Sequence, residues 1–113
     1  MDIQNETFGG TYPFKPHHVK VKGKRLHYVD EKPKSKAKKE TVVMLHGNPT
    51  WSYLYRNFVP PLVKAGYRCV VPDHMGYGKS EKSIDRAEFL LEKKIEYFSE
   101  FMEKLDLRDI TLV

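Results

Sequence analysis

The sequence has a single cysteine, Cys69, and no long hydrophobic run. One thiol excludes an internal disulfide and a metal site built from cysteines, and its apolar setting, YRCVVP, predicts a buried core residue. No segment approaches the roughly 20 apolar residues that a transmembrane helix needs. The first residues, MDIQNETFGGTYPFKP, lack the apolar stretch of a secretory signal. We therefore expect a cytoplasmic protein with no membrane partner.

Positive charge is abundant but unevenly placed. The chain of 113 residues carries a net charge of +5, with 40% hydrophobic and 31% charged residues, which suits a globular domain. Much of the positive charge lies in KPKSKAKK, Lys32 to Lys39, a run that cannot bury one of its faces. We interpret this run as a hairpin connection, within a lysine-rich loop at residues 31–40. A nucleic-acid-binding face would mix Arg and aromatic residues with Lys, so no nucleic-acid partner is expected.

Several segments have the hydrophobic patterns of strands. HHVKVKGKRLHYVD alternates polar and apolar residues, which predicts two half-buried strands, about His17–Val21 and Arg25–Val29, with a tight turn at Gly23. Val42–Leu45 and Cys69–Val71 are continuous apolar runs, as expected of strands buried on both faces. The segment RDITLV begins another such strand at the end of the sequence.

Two segments between these strands are predicted to be helical. WSYLYRNFVPPLVKAG has apolar residues at helical spacing, but Pro60 and Pro61 must break or kink the helix, and Gly66 ends it. DRAEFLLEKKIEYFSEFMEKLDL is the clearest helix, with Asp85 and Glu88 as a capping box. Its apolar stripe, which we expect to pack on a sheet, consists of Leu91, Ile95, Phe98, Met102 and Leu105.

This order predicts an α/β fold: an antiparallel amino-terminal hairpin, then mostly parallel strands with helices on both faces. We expect one domain, with residues 1–11 irregular. Because the sequence ends inside a strand of high β-propensity, residues 1–113 are interpreted as an amino-terminal fragment of that domain. The unpaired edge of such a strand favours self-association.

The loops HGNPTW and PDHMGYGKS follow two of the predicted parallel strands, where open α/β sheets bind their ligands. Gly78-Lys79-Ser80 has the ending of a phosphate-binding loop, but the first glycine of that motif would fall at Asp73, whose carboxylate repels phosphate. Gly76 and Gly78 instead predict a tight loop with positive φ. We expect Asp73 to accept hydrogen bonds from loop N–H groups rather than to transfer protons.

The first loop offers hydrogen-bond donors. Gly47 permits close backbone approach, Pro49 fixes the direction of the chain, and His46 is expected to be a hydrogen-bonded structural histidine. Asn48 supplies a backbone N–H and an uncharged side-chain amide. A donor of this kind stabilises developing negative charge by roughly 3–4 kcal/mol in an oxyanion hole. The alternative, that Asn48 is only a turn residue, remains open.

The sequence from HGNPTWSYLYRNFVPPLVKAG through YRCVVPDHMGYGKSEK, with RLHYVDE upstream and LDLRDITLV downstream, closely resembles the amino-terminal part of haloalkane dehalogenases, which are α/β-hydrolases. The resemblance extends from Tyr12 to Val113. The two loop motifs are shared with epoxide hydrolases and other hydrolases of the superfamily. Asn48 in the third position of the first loop favours dehalogenases, because related epoxide hydrolases usually carry Phe there.

The resemblance implies a mechanism. In such enzymes a carboxylate nucleophile, followed by a Trp, comes directly after the strand that begins ITLV. It displaces halide from carbon, and a distant His activates water to hydrolyse the ester intermediate. The residue matching Asn48 donates to the departing halide and contributes to the oxyanion hole. Trp51 matches a frequent aromatic residue of the motif, and we expect it to serve packing. The resemblance implies no cofactor and no metal.

The resemblance also leaves gaps and alternatives. We expect the nucleophile, the catalytic His that serves as base and the acid partner of that His to lie beyond Val113, so that residues 1–113 alone are inactive. The substrate is expected to be a halogenated alkane, or an epoxide or ester if the protein is an epoxide hydrolase or serine esterase of the same superfamily. A second alternative is a non-enzymatic truncated product that binds acidic partners through its lysine-rich segment, which replaces the short turn expected at that place.

Overall fold

The computed structural model describes residues 3–36, 40–47, 50–82 and 91–113. The strands are β1 (His17–Val21), β2 (Lys24–Glu31), β3 (Thr41–Val43), β4 (Arg68–Pro72) and β5 (Ile110–Leu112). The helices are α1 (Val59–Lys64) and α2 (Leu91–Lys104), with short 3-10 helices at Ile3–Asn5 and Ser52–Tyr55. The proposed capping box, Asp85 and Glu88, lies outside the described residues.

The strands form one mixed sheet in the order β1-β2-β4-β3-β5. β1 pairs with β2 and β2 with β4 in antiparallel register, whereas β3 is parallel to both β4 and β5. One face packs against α1 around Met44 and Val59, and the other packs against α2 around Val43 and Phe101. The predicted α/β architecture, with its antiparallel hairpin and helices on both faces, is confirmed.

The hairpin interpretation of the lysine-rich segment is wrong. β2 pairs with β4 from Tyr28 opposite Pro72 to Glu31 opposite Cys69, so β3 is not its neighbour. β2 and β3 therefore do not form a hairpin, because β4 lies between them in the sheet. The spacing of hydrophobic residues predicts that a segment is a strand, but it does not predict which strand lies next to it in the sheet. Any strand with a matching apolar face can be that neighbour.

The two prolines divide the segment after β3, as predicted. Pro60 and Pro61 lie in the first turn of α1, where a missing N–H removes no helical hydrogen bond. Gly66 has a φ of +101° and ends the helix. Its N–H donates to Val63 O at 3.0 Å, and the Tyr67 N–H donates to Leu62 O at 3.0 Å, which is the Schellman arrangement.

The predicted apolar stripe of α2 is wrong at its amino-terminal end. Leu91 and Ile95 are 70% and 56% exposed, whereas Tyr97 and Phe101 are buried in the core. Phe98, Met102 and Leu105 are partly buried against the same cluster, as expected. The buried face is thus rotated toward Tyr97 and Phe101, and the sheet covers only the carboxyl-terminal part of the helix.

β5 lies at one edge of the described sheet. The Val113 N–H donates to Val43 O at 2.9 Å, and the Leu45 N–H donates to Val113 O at 3.0 Å, so the pairing with β3 continues past both strands. The Leu112 and Val113 side chains are 54% and 60% exposed. Among the described residues, no helix is both long and apolar enough to span a membrane.

Candidate functional site

The loops that follow β3 and β4 touch each other at the carboxyl ends of the parallel strands. His46 follows β3, and its Nε2 accepts a hydrogen bond from the His74 N–H at 2.9 Å. The two imidazole rings lie 4.4 Å apart, centroid to centroid. Because Val113 pairs beside Leu45, the end of β5 reaches the same edge of the sheet. The expectation that both loops line one crevice agrees with these contacts.

Asp73 is the centre of the second loop's hydrogen bonding and is fully buried. Its Oδ1 accepts the Ser52 N–H at 2.6 Å, and its Oδ2 accepts the Lys79 N–H at 3.0 Å and faces His27 Nδ1 at 2.8 Å. Burial alone raises the pKa of Asp73, but His27 and the two N–H groups outweigh it and hold the pKa below its ordinary value. Asp73 therefore accepts from loop N–H groups, as expected for an ionised carboxylate.

The glycines of the second loop have the expected backbone conformation. Gly76 has a φ of +87° and Gly78 a φ of +53°, both in the left-handed region. A Cβ added to Gly78 would lie 2.5 Å from Cγ of Asp73. The loop therefore needs glycine at position 78 for two reasons, the backbone angle and the space that the carboxylate occupies.

His46 is a buried histidine with both ring nitrogens engaged. Its Nδ1 donates to Gly47 O at 2.8 Å, and its Nε2 accepts from His74. Burial lowers the pKa of His46, which favours the neutral ring that this pairing requires. A ring with both nitrogens occupied cannot act as a general base or bind a metal, so this geometry fits the structural role expected for His46.

The segment that carries Asn48 is fixed on either side. Asn48 and Pro49 themselves lie outside the described residues, so their predicted roles stay predictions. The exposed Gly47 and the half-buried Thr50 flank them, and Gly47 O accepts both the Thr50 N–H at 3.0 Å and the Thr50 hydroxyl at 2.8 Å. Gly47 and Thr50 are thus joined directly by two hydrogen bonds.

Trp51 lies in an aromatic cluster with the amino-terminal segment. Its ring stacks on Tyr53 at 5.4 Å between centroids and contacts Phe8 at 5.5 Å and Tyr12 at 5.2 Å. The buried Tyr12 hydroxyl is also hydrogen-bonded to the Ser52 hydroxyl at 2.6 Å. The packing role expected for Trp51 agrees with these contacts.

Sequence reasoning missed three buried polar residues of the site: His27, Ser52 and Lys79. The Lys79 side chain is 1% exposed, and its Nζ donates to the carbonyl oxygens of Gln4 and Glu6, each at 2.8 Å. His27 pairs with His18 of β1, on the opposite face of the hairpin from Val19 and Leu26, so the alternation of polar and apolar residues did not mark it as buried. Nothing in the local pattern marks the other two, because their partners are remote in sequence.

A pocket of about 320 Å³ lies beside the two loops. His46, Gly47 and His74 form one wall, and α2 forms the other with Leu91, Lys94, Ile95 and Phe98. A larger pocket of about 580 Å³ is lined by Phe14, Glu31 and Val59, among others. Glu31 pairs near the amino end of β4, so the larger pocket lies toward the opposite end of the strands, and the smaller pocket is the candidate site.

Among the residues that the structure describes, no three His, Cys, Asp or Glu side chains come together as a metal site. The polar side chains that line the candidate pocket are His46, His74 and Lys94. Of these, Lys94 carries N–H donors that can bind and orient an anion or a polarised leaving group, whereas both ring nitrogens of His46 are already hydrogen-bonded.

Comparison with known proteins agrees with this architecture. The α/β-hydrolase fold family matches residues 40–113. A haloalkane dehalogenase of Mycobacterium marinum is 42% identical over 106 residues, which are 89% of this chain and 35% of that protein.

Solved structures give the same result. The tetrameric haloalkane dehalogenase DpaA from Paraglaciecola agarilytica NO2 superposes with a TM-score of 0.85 and 37% identity, over 96% of this chain and 38% of that one. The epoxide hydrolase VrEH1 from Vigna radiata superposes with a TM-score of 0.74 and 25% identity, over 88% of this chain and 31% of that one. The chain spans about a third of the length of these relatives. It belongs to the α/β-hydrolase fold family and is similar to the haloalkane dehalogenases along most of its length.

Proposed function

We propose that this chain forms the amino-terminal part of a single α/β-hydrolase domain that cleaves the carbon–halogen bond of small halogenated alkanes with water. The observation that supports the proposal best is the contact between the two loops. His46 and Ser52 are both hydrogen-bonded to the second loop, and Asn48 lies between them in the sequence. The similarity to haloalkane dehalogenases over 89% of the chain supports the same reaction.

In the proposed reaction a carboxylate attacks the carbon that bears the halogen, and the carbon–halogen electron pair leaves with the halide. Asn48 donates its side-chain amide to that halide, and its backbone N–H stabilises the oxyanion when water later cleaves the ester. The carboxyl end of β5 lies beside Leu45, the residue before His46. This mechanism requires the nucleophile at that end of β5. The reaction needs neither a cofactor nor a metal.

The proposal extends to the setting of the reaction. We assign the protein a cytoplasmic location and a small-molecule substrate. Residues 1–113 alone are proposed to be inactive, because none of them is assigned as nucleophile, acid or base. Self-association through the exposed edge of β5 stays a prediction.

The test is the Asn48→Ala variant of the full-length protein, assayed by bromide release from 1-bromobutane. Loss of one donor to the leaving halide should lower kcat by about 100-fold. Asn57→Ala is the matched control, because it makes the same chemical change at an exposed position of the following segment. Equal bromide release by the two variants would exclude the halide role of Asn48.

Epoxide hydrolysis is the second candidate, favoured by the structural similarity to VrEH1. Substrates separate the candidates: styrene oxide, 1-bromobutane and a p-nitrophenyl ester assayed side by side identify the bond that is cleaved. The coding sequence past Val113 gives an independent answer. A short hydrophobic stretch, then Gln or His, then Asp-Trp-Gly supports a carboxylate nucleophile, whereas Gly-x-Ser-x-Gly supports a serine esterase.

The non-enzymatic alternative has its own test. If the protein acts by binding acidic partners through the segment Lys32 to Lys39, it should shift nucleic acid in a gel at low salt. Replacement of those lysines should abolish the shift. Absence of a shift at low salt would remove this alternative.

A further inference from the structure

The second loop holds the first loop at both of its ends. On the amino-terminal side, the His74 N–H donates to His46 Nε2 at 2.9 Å. On the carboxyl-terminal side, the Asp73 carboxylate accepts the Ser52 N–H at 2.6 Å. Adjacent residues of one loop, Asp73 and His74, therefore hold His46 and Ser52, the residues that precede and follow residues 47–51 of the other loop in the sequence.

The Asp73 carboxylate, which accepts the Ser52 N–H, also makes polar contacts with other parts of the chain. Asp73 Oδ2 faces His27 Nδ1 at 2.8 Å and the Lys79 N–H at 3.0 Å. Its backbone oxygen accepts the Ser80 hydroxyl at 2.7 Å, and its N–H donates to His27 O at 2.9 Å. A buried carboxylate with charge-assisted bonds to several elements is a rigid reference point, because any displacement breaks more than one of them.

The imidazole of His27 supports the Asp73 carboxylate. The residue is fully buried on β2, and its Nε2 has no hydrogen-bond partner among the described residues. The imidazole therefore has Asp73 as its polar partner, and a buried ring nitrogen is left without one. A buried polar atom without a hydrogen bond lowers the stability of the fold, so we expect the contact between His27 and Asp73 to offset that loss.

We propose that Asp73, held by His27, is a positioning residue of the enzyme: it sets the place of residues 47–51 and thereby of Asn48. The inference rests on the proposed function of Asn48. Asp73 is fully buried and does not meet the substrate, so its effect passes through the Ser52 N–H. A displacement of about 1 Å at a catalytic donor costs about 100-fold in rate, so a fixed boundary matters to the reaction.

The test compares Ser52→Pro with Ser52→Ala in the full-length protein. Ser52 is the first residue of a 3-10 helix, and Trp51 before it is extended, with φ −158° and ψ −176°, so proline fits the backbone there. Both variants lose the hydroxyl bond to Tyr12, but only proline removes the N–H that Asp73 accepts. The difference between the two variants isolates that contact.

Two readouts separate positioning from a general loss of stability. Relative to Ser52→Ala, Ser52→Pro should lower kcat about 10- to 100-fold and raise the inhibition constant for bromide. It should also speed amide hydrogen exchange in residues 46–51 while leaving β1 and β2 unchanged. A merely structural role would lower the melting temperature and the amount of active enzyme, but it would not move the inhibition constant.

Each outcome is decisive. Identical inhibition constants and identical exchange in residues 46–51 for the two variants overturn the inference. If the wild-type protein releases no bromide, the proposed function fails, and the exchange measurement alone still decides whether Asp73 fixes the segment. If Ser52→Pro does not fold, Asp73→Asn replaces it, because either orientation of the amide sets a donor against the Ser52 or the Lys79 N–H.

Discussion

Replacement of Gly78 by alanine should destabilise the protein far more than an ordinary glycine-to-alanine change. The new Cβ would lie 2.5 Å from both Cγ and Oδ2 of Asp73, closer than real Cβ contacts allow. The left-handed φ of +53° adds about 1–2 kcal/mol of strain. Moving the carboxylate away breaks at least one of its charge-assisted hydrogen bonds, worth about 1.5–3 kcal/mol. The expected loss in the free energy of unfolding is therefore about 3 kcal/mol or more.

Gly23→Ala is the matched control for this experiment. Gly23 also has a positive φ, +78°, but a Cβ there would meet no atom within 4 Å. The control should therefore lose only the backbone strain, about 1–2 kcal/mol. Urea denaturation of the full-length protein and both variants measures the difference. Equal losses for the two variants would show that Asp73 moves aside at no cost, and would refute the rigid carboxylate on which the positioning inference depends.

Two further predictions concern pH and the sheet. Burial, with the charges of His46 and Lys94, lowers the pKa of His74 to about 4, so between that pH and the ordinary value of 6.5 the unfolded state binds more protons. Stability should therefore fall as pH drops through this range. The His74→Leu variant should show a smaller fall in melting temperature between pH 7.5 and pH 5 than the wild-type protein. An equal fall in the two proteins would contradict this prediction. Arg68 donates Nε and Nη2 to the two carboxylate oxygens of Asp30, at 2.9 and 2.8 Å. Arg68→Lys, which cannot make both bonds, should cost about 1 kcal/mol in urea denaturation, and an unchanged midpoint would refute that value.

The architecture was largely accessible from the sequence because its signals are local. β1 coincides with the predicted strand His17–Val21, and Gly66 ends α1 as its backbone freedom suggests. The pairing of β2 with β4 was not accessible, because it depends on residues about forty positions apart that carry no mutual signal. The sequence also did not predict which face of α2 is buried. Tyr97 and Ile95 both have a large apolar side-chain surface, and only the position of the sheet decides that Tyr97 is the one covered.

The candidate site also has features that the sequence predicts and features that it does not. The loop positions and the need for glycine at 76 and 78 follow from short motifs whose backbone requirements are specific. The buried partners of Asp73 do not, because Ser52 acts through its backbone N–H, which every residue except proline possesses. Long-range hydrogen bonds to main-chain atoms leave almost no trace in a single sequence.

The central place of β4 has a consequence for the way this chain folds. β4 alone joins the amino-terminal hairpin to β3, and β3 in turn is the only described strand beside β5. During synthesis β1 and β2 can pair as soon as they emerge, but β3 has no partner until the chain has reached Arg68. Until then, solvent has access to three residues that the folded sheet buries, Val42, Val43 and Met44. The interval before β4 is available therefore exposes an apolar strand of the nascent chain, which favours aggregation.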